Sequence, residues 1–193
     1  MPDREMRRSP ERLPSVMSNL REDTEMRAEP IFFTDDGEVP NNPRWPMIVY
    51  YQAIDPDVLI RSEFAFDELF QKNGWVVRFR NGIYPFTHYH TTAHEALGIA
   101  KGHATVQFGG DSGSALTAAA GDALLLPAGT GHRLVSASPD LLVVGAYPPG
   151  PDRDLMRTGE PDKVGIRSRI AAVAKPRTDP VTGLGGPMLK LWQ

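Results

Sequence analysis

With 193 residues the chain is long enough for one domain with a sizeable core and short for two. A formal net charge of −3 offers no basic footprint for nucleic acid and no polybasic anchor for an anionic membrane. There is no cysteine, which excludes disulfides, thiolate metal sites and a cysteine nucleophile and leaves only nitrogen and oxygen donors for any metal.

Residues 1–28 mix charge and proline with little periodic apolar content, which predicts a mobile N-terminal arm ahead of a single domain over 29–193. The arm lacks the apolar stretch of a secretory signal, and no apolar run approaches the ~18 residues of a membrane span. A cytoplasmic protein is therefore expected.

Next in the chain, "WPMIVYYQA" (45–53) is rich in β-branched and aromatic residues and predicts a first strand, entered through the turn-rich "PNNP". "SEFAFDELFQKNG" predicts one short helix: Ser62 as N-cap, Phe66, Leu69 and Phe70 on one face, and Gly74 in the left-handed position after the end. From Trp75 the period changes to two. "WVVRFR" would place Trp75, Val77 and Phe79 on one face with Arg78 and Arg80 opposite, Asn81-Gly82 is a turn signal, and "IYPFTHYH" resumes an extended run.

Further short strands are expected at "ALGIAKG", "HATVQFGG", "SALTAA", "DALLLPAG", "HRLVSAS" and "LLVVGAYP", each punctuated by Gly, Pro, Asp or Ser. Many short strands with regular turn signals indicate an all-β sandwich or barrel rather than a parallel sheet, with a core barrel over about 75–147. Residues 148–193 are read as a C-terminal segment that wraps the barrel or makes a dimer contact, with Leu189, Leu191 and Trp192 as apolar anchors.

Three of the five histidines fall within "FTHYHTTAHEALG" (86–98). His88 and His90 are two apart, so on a strand both imidazoles leave the same face. Glu95 follows a short connection from which a returning strand can present its carboxylate to the same point, and His132 follows the Pro/Gly turn "LPAGTG". Three imidazoles and one carboxylate suit a divalent first-row metal with positions open to water or substrate; the competing reading is a chance enrichment in a solvated turn.

The spacing bears on that choice. Gly82 is followed after five residues by His88, after one by His90, after four by Glu95 and after six by Gly102. A second stretch runs from Gly121 over five residues to Pro127, one to Gly129 and two to His132. These two stretches resemble the two motifs of the cupin superfamily (RmlC-like), departing only at Ser136, where cupins often carry Asn at a position that is not a ligand. "VPNN" at 39–42, "GIYPFTHYHTTAHEALGIAKG", "LLLPAGTGHRLV", "VVGAYPPG" and "DPVTGLGGP" are similar to the YjlB-like group of single-domain cupins.

The resemblance implies a double-stranded β-helix, a jelly-roll barrel preceded by a short helix and flanked by extended N- and C-terminal arms. It implies His88, His90, Glu95 and His132 as ligands to one divalent transition metal (Fe, Mn, Ni or Zn), a small-molecule ligand and a homodimer. His94, adjacent to Glu95, points to the opposite face of a regular strand, where it would stand behind the ligands or at the surface and hydrogen-bond a neighbouring strand; a bulge at 91–95 would instead turn it inward, as a replacement ligand or as the catalytic acid/base group. His103 and Lys101 are expected at the surface, and Tyr84, Phe86, Leu97, Ile99, Val106, Phe108, Leu124 and Leu126 in the core or barrel wall. Tyr84 or Tyr147 would offer a phenol to substrate if not simply packed, and Arg78 and Arg80 would bind a carboxylate or phosphate if their face meets the barrel mouth.

The expected activity is dioxygenase-like, because few acid/base residues accompany an apolar barrel. The alternatives are a metal-dependent isomerase or epimerase of a sugar or hydroxycarbonyl compound, and a non-catalytic small-molecule-binding module.

Overall fold

A computed structural model describes residues 26–150, 152–159 and 165–193. In chain order its elements are β1 (Arg27–Ile31), β2 (Met47–Tyr51), α1 (Pro56–Arg61), α2 (Ala65–Lys72), β3 (Val76–Asn81), β4 (His88–Tyr89) and β5 (Glu95–Lys101). There follow β6 (His103–Phe108), β7 (Ser114–Ala119), β8 (Ala123–Leu126), β9 (His132–Ala137), β10 (Leu142–Tyr147), β11 (Met156–Arg157), α3 (Ile166–Ala172) and α4 (Pro187–Leu191). The strands form two antiparallel sheets, ordered β1-β2-β8-β5-β10-β3 and β11-β4-β9-β6-β7, the face-to-face jelly roll that the motifs imply.

The interior between the sheets is filled from both sides: Leu97, Ile99, Leu124 and Val143 of the larger sheet meet Val106 and Phe108 of the smaller one. The larger sheet also buries its outer face, against α1, α2 and α4, so β5 is apolar on both sides rather than alternating. Ala96 and Ala100 lie on that outer face with Phe66 and Phe70 of α2. Between them Gly98 admits the helix: a Cβ there would stand 2.3 Å from the Phe66 ring.

Several expectations are corrected. The arm boundary at residue 28 falls inside β1, where Arg27 and Ala28 pair with Tyr51 and Tyr50, so the barrel's larger sheet begins well before residue 75; residues 1–25 of the expected mobile arm lie outside the described residues. Two helices precede β3 instead of one. The first is signalled by Asp55-Pro56: Asp55 accepts from the Asp57 N–H at 2.8 Å and Pro56 stands at the first helical position. Ser62 closes that helix and does not cap α2, although Gly74 takes the left-handed conformation at φ +79°.

In β3 the register against β10 shifts between Gly145 and Ala146, which pair with Phe79 and Val77 and leave Arg78 as the extra residue. Val77 therefore packs under the helices and Phe79 in the barrel, so the two do not share a face. Arg80 turns outward to Asp67 of α2 and Arg78 is exposed, so neither reaches the barrel mouth.

The C-terminal segment wraps the larger sheet as expected, with Trp192 and Leu189 as anchors and Leu191 exposed, and it carries α3 and α4 rather than running extended throughout. Asp179, fully buried, accepts from the N–H groups of Val181, Thr182 and Met188 and from the Tyr50 hydroxyl at 2.6 Å, folding "DPVTGLGGP" onto β2. Trp192 is buried and stacked on Trp45 at 5.2 Å, and its indole N–H donates to the Pro46 carbonyl. Among the described residues no helix is long and apolar enough to cross a membrane.

Candidate metal centre

The smaller sheet contributes two imidazoles through one cross-strand pair. His88 of β4 stands opposite His132 of β9, with ring centroids 4.1 Å apart. His90, just past β4, keeps the same side, and its ring lies 6.1 Å from that of His88. Glu95 comes from the first residue of β5 in the opposite sheet. All four side chains are buried, and all four border one cavity of about 140 Å³.

The turn before His132 is held by the "VPNN" asparagines. Asn41 donates to the carbonyls of Thr34 and Gly109 and accepts from the Gly131 N–H, while Asn42 donates to the Ala128 carbonyl at 2.9 Å. Gly129, at φ +92°, donates its N–H to the His90 carbonyl at 2.7 Å, so the two motifs touch directly.

Each of the three histidines has the same tautomer, fixed by a carbonyl that can only accept. The Nδ1–H of His88 donates to Phe86 (3.1 Å), that of His132 to Thr130 (3.2 Å) and that of His90 to Asp154. Every Nε2 lone pair is thereby turned to the interior, the arrangement that carbonyl partners impose on metal-binding histidines. Glu95 Oε1 accepts from the Tyr147 hydroxyl, whereas Oε2 is buried and has no hydrogen-bond partner among the described residues. That oxygen faces His132 Nε2 at 3.3 Å and His90 Nε2 at 3.6 Å.

Donors bound at ~2.1 Å to one ion stand about 3 to 3.5 Å apart; the Glu95–His132 separation falls in that range and the Glu95–His90 separation just beyond it, and three imidazoles with one carboxylate are a donor set that suits a divalent metal. Among the described residues no group of three or more His, Asp or Glu side chains is arranged so that it could hold a metal ion as it stands. The fit lies in the donor types, their tautomers and the orphaned carboxylate oxygen.

The surroundings of the carboxylate favour its ionised form. Burial pushes the Glu95 pKa up, but His90 and His132 outweigh it and hold the carboxyl well below the usual carboxylate range. Burial lowers His90 too, and the Glu95 carboxylate overrides it and raises that imidazole. His132 is held down at about 3 by burial and by neighbouring His88, and His88 is lowered by burial.

His94 requires a correction. It is fully buried on the other face of the chain, with its ring 5.4 Å from Trp45 and 4.8 Å from Trp192. Its Nδ1 accepts the Ala128 N–H at 2.9 Å, so its Nε2 carries the hydrogen and donates to the Ala174 carbonyl at 3.2 Å. Both ring nitrogens are occupied, burial lowers its pKa to about 4, and it does not border the cavity. No bulge turns it inward, and the catalytic role expected of it is withdrawn; it is a structural histidine.

The remaining expectations divide. His103 and Lys101 are exposed, Leu97, Ile99, Val106, Phe108, Leu124 and Leu126 fill the barrel, Phe86 is half-buried, and Tyr84 is exposed at the cavity mouth. Tyr147 does reach the site, through Glu95. Sequence reasoning missed the segment 153–155. Asp154 supplies the His90 partner, and its carboxylate accepts from the N–H and hydroxyl groups of both Thr91 and Thr92. The "TT" pair after His90 was the only local trace of this acceptor.

No protein-family model matches the chain. Among curated proteins, the uncharacterized protein YjlB of Bacillus subtilis (strain 168) is 37% identical over 169 residues, which cover 87% of this chain and 98% of that protein. Similar solved structures include acireductone dioxygenase from Bacillus anthracis with a cadmium ion in its active centre, at 17% identity, covering 58% of this chain and 54% of that one with a TM-score of 0.30. Another is RmlC from Streptococcus suis in complex with dTDP-D-xylose, at 10% identity, covering 72% and 73% with a TM-score of 0.33. At these scores neither structure informs the chemistry of this chain.

Proposed function

This chain belongs to the YjlB family of the cupin superfamily, and from that premise we propose that it is a metalloprotein that uses His88, His90, Glu95 and His132 to hold a divalent transition metal and acts on a small organic molecule in dioxygenase-like chemistry. The observation that carries the reading is the orphaned Oε2 of Glu95, buried beside the Nε2 atoms of His90 and His132. Such an ion, when bound, supplies coordination positions for a chelating substrate and, if it is iron, electrons for dioxygen chemistry.

The chain's own residues do the rest. Phe86, Thr130 and Asp154 fix the three imidazoles as Nε2 donors, and Tyr147 fixes one carboxylate oxygen so that the other stays turned to the ion's position. Phe79, Ile83, Leu97 and Leu155 give the cavity apolar walls that exclude water around an organic body. With His94 outside the cavity, no free imidazole is left there to serve as the general base that isomerisation or epimerisation needs, which favours the oxygenase reading.

Metal analysis of untagged protein tests the proposal, alongside a His88→Ala, His132→Ala double variant whose folding is checked by circular dichroism. Near-stoichiometric Fe, Mn, Ni or Zn in the wild type and almost none in the folded variant is the expected result. Wild-type protein that stays empty after reconstitution with each of these ions overturns it. Substrate-dependent oxygen uptake by the iron-loaded protein then separates the oxygenase from a binding module. The homodimer is part of the same proposal; the outer strands β1 and β7 leave sheet edges for pairing, and light scattering reads the mass.

A further inference from the structure

Among the described residues that border the cavity, Arg153 is the one arginine or lysine, and it stands exposed at its rim. Arg153 lines it together with the metal-ligand candidates, its guanidinium 4.5 Å from the centroid of the Tyr147 ring. Among the described residues no carboxylate forms a salt bridge with it, whereas Arg80, Arg133 and Arg167 each have one. The stack on Tyr147 and a hydrogen bond to its hydroxyl orient the fork, and they engage only part of the five N–H donors that a guanidinium carries.

Its position is built by the chain around it. Asp154 is fastened to Thr91 and Thr92 through its side chain, and its own N–H donates to the Thr92 hydroxyl at 3.1 Å. Immediately after it, β11 pairs with β4, Met156 opposite Tyr89 and Arg157 opposite His88. In extended chain alternate residues face opposite ways, so fastening Asp154 to the 90–92 turn sends Arg153 and Leu155 together to the cavity.

We propose that Arg153 is the specificity-determining residue of this site and that it binds the carboxylate of a small organic acid. The acid's apolar body would lie among Phe79, Ile83, Leu97 and Leu155. A planar guanidinium meets a carboxylate through two parallel N–H···O bonds, which an amide cannot reproduce with equal strength. The volume of about 140 Å³ is close to that of an engineered cavity of roughly 150 Å³ that admits benzene, so the body of a small acid fits within it. This inference rests on reading the same cavity as the substrate site, and names the class of molecule it takes.

The test is an NMR titration of ¹⁵N-labelled protein with butyrate and with its neutral isostere butyramide, using wild type, Arg153→Gln, Arg153→Lys and the His88→Ala, His132→Ala variant, each checked for metal content. Butyrate should shift the amides of residues 79–84 and 95–97 and bind wild type at least tenfold more tightly than Arg153→Gln, with Arg153→Lys between them. Butyramide should bind weakly and alike to all. Equal affinity for butyrate in wild type and Arg153→Gln, or wild-type binding of butyrate no tighter than of butyramide, overturns the inference. Metal-loaded wild type with no Arg153 dependence removes the inference and leaves the metal reading standing. Metal-free wild type that retains the Arg153 dependence does the reverse.

Discussion

The Tyr147 hydroxyl donates to Oε1 of Glu95, and so one carboxylate presents a satisfied oxygen to β10 and a bare one to the histidines. The two residues are neighbours because Ala146 pairs with Ala96 at the ends of β10 and β5. Tyr147→Phe removes the hydroxyl and keeps the ring, so Glu95 loses its anchor while all proposed ligands remain. Metal affinity in a chelator competition should fall about 10- to 100-fold, the range for lost outer-shell partners, with stoichiometry unchanged at saturating metal.

His94 packs against both members of the stacked Trp45–Trp192 pair, with both its nitrogens bonded. His94→Ala opens a cavity there and leaves the buried Ala128 N–H without its acceptor. Urea unfolding should show a loss of about 2–4 kcal/mol, with metal content and ligand binding retained in the folded fraction. A variant as stable as wild type that has lost activity would restore the catalytic role.

Tyr50 links alkaline stability to the C-terminal loop. Burial, then the Asp179 carboxylate that accepts its hydroxyl, raise its pKa far above the ordinary value near 10. Up to that pH the hydroxyl is protonated in folded and unfolded chains alike. Above about pH 10 the unfolded chain releases a proton that the folded one keeps, so stability falls with rising pH by up to ~1.4 kcal/mol per unit from this group. Tyr50→Phe should be less stable at neutral pH, because Asp179 Oδ2 loses one of its donors, and should show a shallower fall between pH 10 and 11. Equal slopes for the two proteins in paired urea titrations would remove Tyr50 as the source.

Gly98 sets how closely α2 approaches the larger sheet. A Cβ there would stand 2.3 Å from the ring of Phe66, itself fully buried. Gly98→Ala should destabilise by about 1–3 kcal/mol through this overpacking, and Phe66→Leu in the same chain should recover part of the loss. A single variant within experimental error of wild type would show that α2 is free to move outward.

Much of this architecture is visible in local pattern. The strand segments from β5 to β10, the apolar face of α2 and the left-handed Gly74 each follow from periodicity or from one residue's steric freedom. The strand β1 escaped because "RAEPI" carries little β-branched content and is held by its pairing with β2. The split of Val77 from Phe79 escaped because the bulge that causes it is a register event between β3 and β10, which lie more than sixty residues apart.

The candidate site divides in the same way. By itself the sequence determined that His88, His90, Glu95 and His132 have spacings compatible with convergence, since a period of two and a Pro/Gly turn are properties of neighbouring residues. Only the tertiary structure decided that His94 is buried against two stacked tryptophans, that Asp154 chooses the His90 tautomer, and that Arg153 rather than Arg78 or Arg80 reaches the cavity. Those outcomes depend on which distant segments pack together, and short-range alternation carries no information about that.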